Sequence, residues 1–122
     1  MQNAPESKKF RGGRFFLFIH LLVKKDGSGN KAGKGRQAAV HYTGSLLNGQ
    51  VFDSSQGRSP LRFTTGAGQM IPGFDVMVQD MKLHEKRTIV LPPNMAYGAN
   101  GIPGVIPGNA YLVFEVELTE LR

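Results

Sequence analysis

The sequence predicts an α+β fold in which a curved antiparallel β-sheet, a half-barrel, wraps around one short α-helix. Three observations carry this expectation. The 122 residues include 16 Gly and 7 Pro, and both break helix interiors, so helix should be scarce. Apolar and polar residues alternate in several short runs, as half-buried strands require. One segment alone, residues 72–81, carries an apolar stripe at helical spacing. Strands that share an apolar face and a lone amphipathic helix bury both surfaces most economically against each other.

In chain order, residues 1–13 are polar, basic and Gly-rich and read as a flexible basic tail. Residues 14–122 read as one domain. The apolar run 14–23 reads as a buried strand and not as a cleaved leader, because it ends in Lys24-Lys25 without a small-residue cleavage site. Residues 24–36, with Lys, Gly, Ser and Asn, read as a loop. Its glycines lack phosphate-loop spacing, and Gly35 stands where a magnesium-binding Ser or Thr would be needed. Residues 37–47 form the next strand, and Asn48-Gly49 signals a hairpin with positive φ at both positions. Val51-Phe52-Asp53 leads into a polar loop, and Leu61-Arg62-Phe63-Thr64 alternates as a strand does. In the helix, Met70, Ile71, Phe74, Met77, Val78 and Met81 form the stripe. Pro72 suits its first turn and Asp75 suits its dipole. Residues 85–91 are a strand. Residues 92–109 hold four prolines and four glycines and are irregular. Residues 110–121 are the clearest strand, with Ala110, Leu112, Phe114, Val116 and Leu118 on one face and Glu115, Glu117 and Thr119 on the other.

Composition excludes much chemistry. There is no cysteine, so disulfides, thiolate nucleophiles and cysteine zinc sites are ruled out. No apolar run approaches the ~20 residues of a membrane span. The net charge is +6. Residues 1–36 hold nine Lys/Arg against two Asp/Glu, and the remainder six against seven. The basic character therefore belongs to the N-terminal third. Nucleic acid is not an expected partner, since no aromatic is interleaved there for stacking. His20, His41 and His84 lack metal-ligand spacing, and no serine sits in a nucleophile motif. What remains is an aromatic and aliphatic set with a few polar groups: Tyr42, Phe52, Asp53, Phe63, Ile71, Phe74, Tyr97 and Phe114. By pattern alone these are mostly core residues. The long Pro/Gly loop is the odd feature, because irregular loops of that length are usually functional.

Ordered motifs then narrow the reading. Val40-His41-Tyr42-Thr43-Gly44, Gly49-Gln50-Val51-Phe52-Asp53-Ser54-Ser55, Pro60-Leu61-Arg62-Phe63, Ile71-Pro72-Gly73-Phe74, Ala96-Tyr97-Gly98, Ile106-Pro107 and Leu112-Val113-Phe114-Glu115-Val116-Glu117-Leu118 together resemble the FKBP family of peptidyl-prolyl cis/trans isomerases over roughly residues 20–122. The resemblance implies rotation about Xaa-Pro bonds in an apolar pocket between sheet and helix, with no cofactor and no metal. Tyr42, Phe52, Phe63, Ile71, Phe74 and Phe114 would line the pocket, with Met70 beside them and Phe74 at the floor. Asp53 and Tyr97 would be polar groups at the edge, with Phe52 and Phe114 beside them in catalysis. Arg58 would orient Asp53, and the Ile71 N–H would bind the substrate carbonyl. Ile102, Val105 and Ile106 would form a flap.

Implied partners are proline-containing peptides and proteins and macrolides of the tacrolimus and rapamycin type. A monomer in the cytoplasm is expected. Phe74 stands where the family often has Trp, Leu61 where Phe is common, Met70 where Val is common and Ile102 where His is frequent. Two other readings stay open: a proline-motif binding module, and a chaperone or adaptor acting through the basic N-terminal third. A further expectation is that Ala4-Pro5 visits the protein's own pocket.

Overall fold

The computed structural model describes residues 20–122, apart from the His20 side chain. In chain order its elements are β1 (His20–Lys25), β2 (Ser28–Lys31), β3 (Gln37–Leu46), β4 (Val51–Ser54), β5 (Leu61–Thr64), α1 (Pro72–Gln79), β6 (Lys82–Leu83), β7 (Lys86–Leu91) and β8 (Leu112–Leu121). The expected tail 1–13, the start of the first strand at 14–19 and the Ala4-Pro5 segment lie outside the described residues.

Long, apolar β3 is bonded on both flanks. On one side β8 pairs with it from Ala38↔Leu121 to Leu46↔Leu112. The other side is divided: β5 pairs with its first half and β4 with its second. Beyond β8 lie β7 and then β1, all antiparallel. Extra residues bend this sheet. Between Ala39 and Val40 the β3–β8 register skips Thr119, whose hydroxyl donates to the Ala39 carbonyl at 3.0 Å. Such bulges increase twist and let a sheet curl. The helix fills the concave side, where Phe74, Met77 and Val78 pack with Val40, Ile89, Leu112, Phe114, Val116 and Leu118. Gly73 permits the close approach: a Cβ there would sit 2.6 Å from a Leu91 methyl.

Several boundaries differ from expectation, each for a local reason. The 24–36 segment is not all loop, because Ser28–Lys31 forms β2 and pairs with β6. The helix ends at Gln79 and not at 81; Met81 still packs in the core, fully buried, as the stripe requires. The last strand begins at Leu112 and the strand before it at Lys86. At the hairpin only Gly49 takes positive φ, at 92°. The Leu46 carbonyl accepts the Gly49 N–H at 2.9 Å, and the Leu46 N–H donates to Gln50 at 2.9 Å. This is a turn followed by a glycine bulge in place of a two-residue loop. Asn48 instead accepts the Gln50 N–H through its side chain, at 2.9 Å.

One buried feature was not legible in the strand pattern. Alternation in β7 turns Arg87 inward with Ile89 and Leu91. Its Nε donates to Glu85 Oε2 at 2.6 Å and its Nη2 to the Asp80 carbonyl at 2.8 Å. Glu85 Oε1 accepts the Lys82 N–H at 2.8 Å. Nη1 lies 3.0 Å from the Asp80 carboxylate but is not aligned to hydrogen-bond it. Lys31 reaches the same carboxylate at 2.7 Å, tying β2 to the end of the helix. Among the described residues, no helix is long and apolar enough to cross a membrane.

Removing one member of a buried ion pair strands the other. Arg87→Ala should therefore lower unfolding free energy by about 3–5 kcal/mol in a denaturant titration. Glu85→Leu with Arg87→Met should recover most of that loss, since no charge is left unpaired. A loss below about 1 kcal/mol for Arg87→Ala would mean the cluster behaves as a solvated pair.

Candidate functional site

The site starts from Phe74, which the helix holds on its inward face with 1% exposure. Three rings meet it. Phe114 of β8 lies at 5.3 Å and Tyr42 of β3 at 6.0 Å, both edge-on; Phe63 of β5 lies at 6.0 Å, tilted. Phe52 of β4 meets Phe114 edge-on at 5.8 Å. Edge-to-face pairs place the positive rim of one ring on the negative face of another. Five aromatics from four strands and the helix thus form one apolar wall. Tyr42, Phe52, Met70 and Ile71 are only partly buried and pack against the core.

Strict alternation would send Phe52 and Asp53 to opposite faces. The β3–β4 register prevents this: Gly44 pairs with Asp53 and Ser45 with Val51, so Phe52 is an extra residue. This bulge lets Phe52 reach Phe114 while Asp53 reaches Tyr42. Gly44 makes room for it. A Cβ there would lie 2.7 Å from Phe52 and 2.8 Å from Phe114. A glycine inside a strand is the sequence signal for such a close approach.

The polar edge is built around Asp53. Tyr42 donates its hydroxyl to Asp53 Oδ2 at 2.6 Å. Oδ1 accepts the Ser54 N–H at 2.9 Å and lies 3.4 Å from Arg58 Nη2. Arg58 also donates to the Ser54 carbonyl. Burial first, then the Asp53 hydrogen bond and charge, push the Tyr42 phenol up to about 12 from 10.0; the Arg58 charge acts the other way. Tyr97 is raised as well, by burial first and then by the Asp53 charge. Among the described residues its hydroxyl makes no hydrogen bond.

The remaining expected residues are placed as follows. Ile71 precedes the helix in an extended conformation, with φ −57° and ψ 145°. Among the described residues its N–H has no acceptor. The flap is a narrow hairpin: Ile102 and Ile106 exchange both backbone hydrogen bonds at 2.8 Å, and Gly104 turns at φ 79°. Ile106 is a core residue that anchors this hairpin, Ile102 packs partly against the core, and Val105 is exposed at the tip. Gly101 lies against the Ile106 carbonyl, 2.2 Å from where a Cβ would stand. No group of three His, Asp or Glu side chains gathers as a metal site among the described residues. The motif-based set missed Ser55, which is buried in an exposed loop and bonded to Tyr42. In sequence it is one of several serines in a polar stretch, with no signal to separate it from Ser54 or Ser59.

A raised phenol links pH to stability. The folded state holds the Tyr42 proton to about 12, whereas an unperturbed tyrosine loses it near 10.0. The contribution is present below pH 10 and is lost as pH rises through that window. Near-ultraviolet titration should show the Tyr42 phenol as a late one, with Tyr97 also displaced upward, and Asp53→Asn should bring Tyr42 down. An unshifted late phenol in Asp53→Asn would assign the shift to burial alone.

Comparisons with known proteins agree with this geometry. The family model for the FKBP-type peptidyl-prolyl cis-trans isomerase matches residues 28–119. FK506-binding protein 1 of Dictyostelium discoideum is 48% identical over 105 residues, covering 85% of this chain and 98% of that protein. Peptidyl-prolyl cis-trans isomerase FPR2 of Saccharomyces cerevisiae is 51% identical over 94 residues, covering 75% and 70%. The crystal structure of AtFKBP13 superposes with a TM-score of 0.79 at 36% identity, covering 84% of this chain and 91% of that one. With the family model matched over residues 28–119 and FK506-binding protein 1 covered over 98% of its length, the chain belongs to the FKBP-type peptidyl-prolyl cis-trans isomerase family and is an isomerase of that class.

Proposed function

We propose that the aromatic wall on Phe74 binds the proline of an Xaa-Pro peptide and accelerates its rotation by desolvation, and that macrolides of the tacrolimus and rapamycin type bind at the same place. The reading rests chiefly on one observation: three rings packed on Phe74, with Phe52 against Phe114, carry a single carboxylate at their edge.

An amide is planar because nitrogen donates into the carbonyl, and rotation faces ~18–20 kcal/mol. That donation separates charge, which water stabilises. A twisted amide has lost the donation and much of the separated charge. An apolar wall that replaces water therefore raises the planar form more than the twisted one. The proline ring fits such a wall, and no strong acid or base is required. Two donors that lack an acceptor among the described residues would serve the substrate backbone. The Ile71 N–H would hold a carbonyl, and the Tyr97 hydroxyl a second. Asp53, held by Tyr42 and Arg58, would offer a weak electrostatic contact to the turning carbonyl. Ile102 and Val105 would close over the ligand from the flap hairpin, which Ile106 anchors. Support for macrolide binding comes from the names of relatives that bind FK506.

The test is cis-to-trans isomerisation of a short Leu-Pro peptide, with and without rapamycin. The expected result is catalysis that stoichiometric rapamycin abolishes. Tyr97→Phe and Asp53→Ala should each lower kcat/KM by a few-fold to about tenfold, the worth of one hydrogen bond or weak charge contact. Full activity in both variants would remove the polar part of the mechanism and leave desolvation alone. Drug binding without catalysis would instead favour a proline-motif binding module.

A further inference from the structure

Ser55 is 4% exposed although Gln56 to Ser59, which follow it, are exposed. Its burial is explained by its bonds to one residue. The Ser55 N–H donates to the Tyr42 carbonyl at 2.9 Å. The Tyr42 N–H donates to Ser55 Oγ at 2.8 Å. The hydroxyl thus stands in for a strand carbonyl, and it extends the β3–β4 ladder past the end of β4. Ser54 adds a third bond, from its hydroxyl to the same Tyr42 carbonyl at 3.3 Å. Tyr42 is therefore clamped by its backbone at one end and bonded to Asp53 by its phenol at the other.

Ser55 Oγ has a further neighbour, His41 Nδ1, at 2.9 Å. A hydroxyl has one proton, and Oγ already accepts from the Tyr42 N–H. When Nδ1 is bare, the hydroxyl donates to it. When the imidazole is doubly protonated, Nδ1–H donates to Oγ and the hydroxyl proton must turn elsewhere. The acceptor within reach is the Tyr42 carbonyl, at 3.4 Å. That carbonyl then faces three donors with two lone pairs, and the Ser54 hydroxyl must give up its bond there for Thr43 Oγ1 at 3.1 Å. Proton uptake at His41, drawn from water, thereby crowds the clamp on Tyr42.

We infer that Ser55 is a positioning residue for the Tyr42–Asp53 edge of the site, and that His41 makes this positioning sensitive to protonation. The inference rests on the reading that this edge takes part in isomerisation. The charged groups facing His41 are few. Glu117 of β8 is its cross-strand partner, and Lys25 of β1 lies 3.6 Å from that carboxylate. Lys86 of β7 pairs with Glu117 on the far side. On the other flank of β3, Arg62 of β5 pairs with Ala39, two residues from His41 on the same face, and its charge is met by Glu120 of β8 at 2.7 Å; Asp53 and Arg58 are the charged residues of the segment from β4 to Pro60. Glu117 is thus shared between His41 and the lysines.

The experiment measures kcat, KM and the Tyr42 phenol titration for the wild type, Ser55→Ala, Ser55→Thr and His41→Gln. Ser55→Ala should lose about tenfold in kcat/KM, the worth of one positioned hydrogen bond. It should also lower the Tyr42 phenol, because a loosened ring holds Asp53 less well. Ser55→Thr keeps the hydroxyl and should restore both. Wild-type kcat/KM should fall on acidification, and His41→Gln should flatten that fall. An unchanged phenol titration in Ser55→Ala would overturn the clamp whether or not the protein is active. An acid limb that persists in His41→Gln would overturn the role of His41. A wild type without isomerase activity would overturn the reading of the site, while the phenol titration still decides the clamp.

Discussion

The packing of one ring organises this molecule. Phe74 lies on a helix of only eight residues, too short to be stable alone in water. It persists because its apolar face is buried against the sheet. Phe74 touches Tyr42 of β3, Phe63 of β5 and Phe114 of β8. Those strands must curve for three rings to converge on one. The bulge at Thr119 supplies curvature within the β3–β8 pair. Asp75, one residue on, binds the Gly66 N–H at 2.8 Å and anchors the loop after β5 to the helix. Helix, curvature and the aromatic wall therefore depend on one another. A change at Phe74 would be felt in all of them.

Much of this was legible because it rests on period. The 110–121 alternation gave β8 its two faces, and Leu112, Phe114, Val116 and Leu118 are buried as that period demands. The 3.6-residue stripe placed Phe74, Met77 and Val78 inward. Other features break the period, and those were invisible. Nothing in Val51-Phe52-Asp53 announces that Phe52 is supernumerary, yet Phe52 reaches Phe114 and Asp53 reaches Tyr42 of the same aromatic wall. The motif resemblance supplied those two residues together; the bulge explains how they come together. Ser55 and His41 give no sign of their contact in sequence, because their partners are backbone atoms and each other, across a strand pair. β2 was missed for a different reason. Its four exposed residues, Ser28–Lys31, have no apolar face to betray a strand.

The buried Arg87 is a second limit of pattern reading. Alternation in β7 correctly sends it inward, and ordinary expectation rejects a buried arginine. The conflict is resolved by Glu85 and Asp80, which lie close in sequence but reach Arg87 only after the chain turns at His84, with φ 73°. This cluster sits at the C-terminal end of the helix, away from the aromatic wall. Its carboxylates and its guanidinium fix how the helix joins the sheet. The wall can then be apolar without weakening the register that positions it.

That separation bears on the chemistry. Rotation about an amide needs a site that is poor in water and firm in shape, with charge kept to the edge. Here Phe74 and its neighbouring rings exclude polar groups from the interior of the wall. Asp53 stands at the rim, about half exposed, with Tyr42 and Arg58 holding its oxygens. A carboxylate deeper in the wall would invite water and stabilise the planar amide that the site must disfavour. One placed farther out would be screened. The bulge at Phe52 is what sets Asp53 between these limits, since it moves the carboxylate to the ring side of the strand without burying it. Gly44 is the condition for that bulge. Any side chain at this position would occupy the space of Phe52 and Phe114. The absence of a Cβ at position 44 thus stands behind the placement of the carboxylate on which the polar half of the proposed mechanism turns.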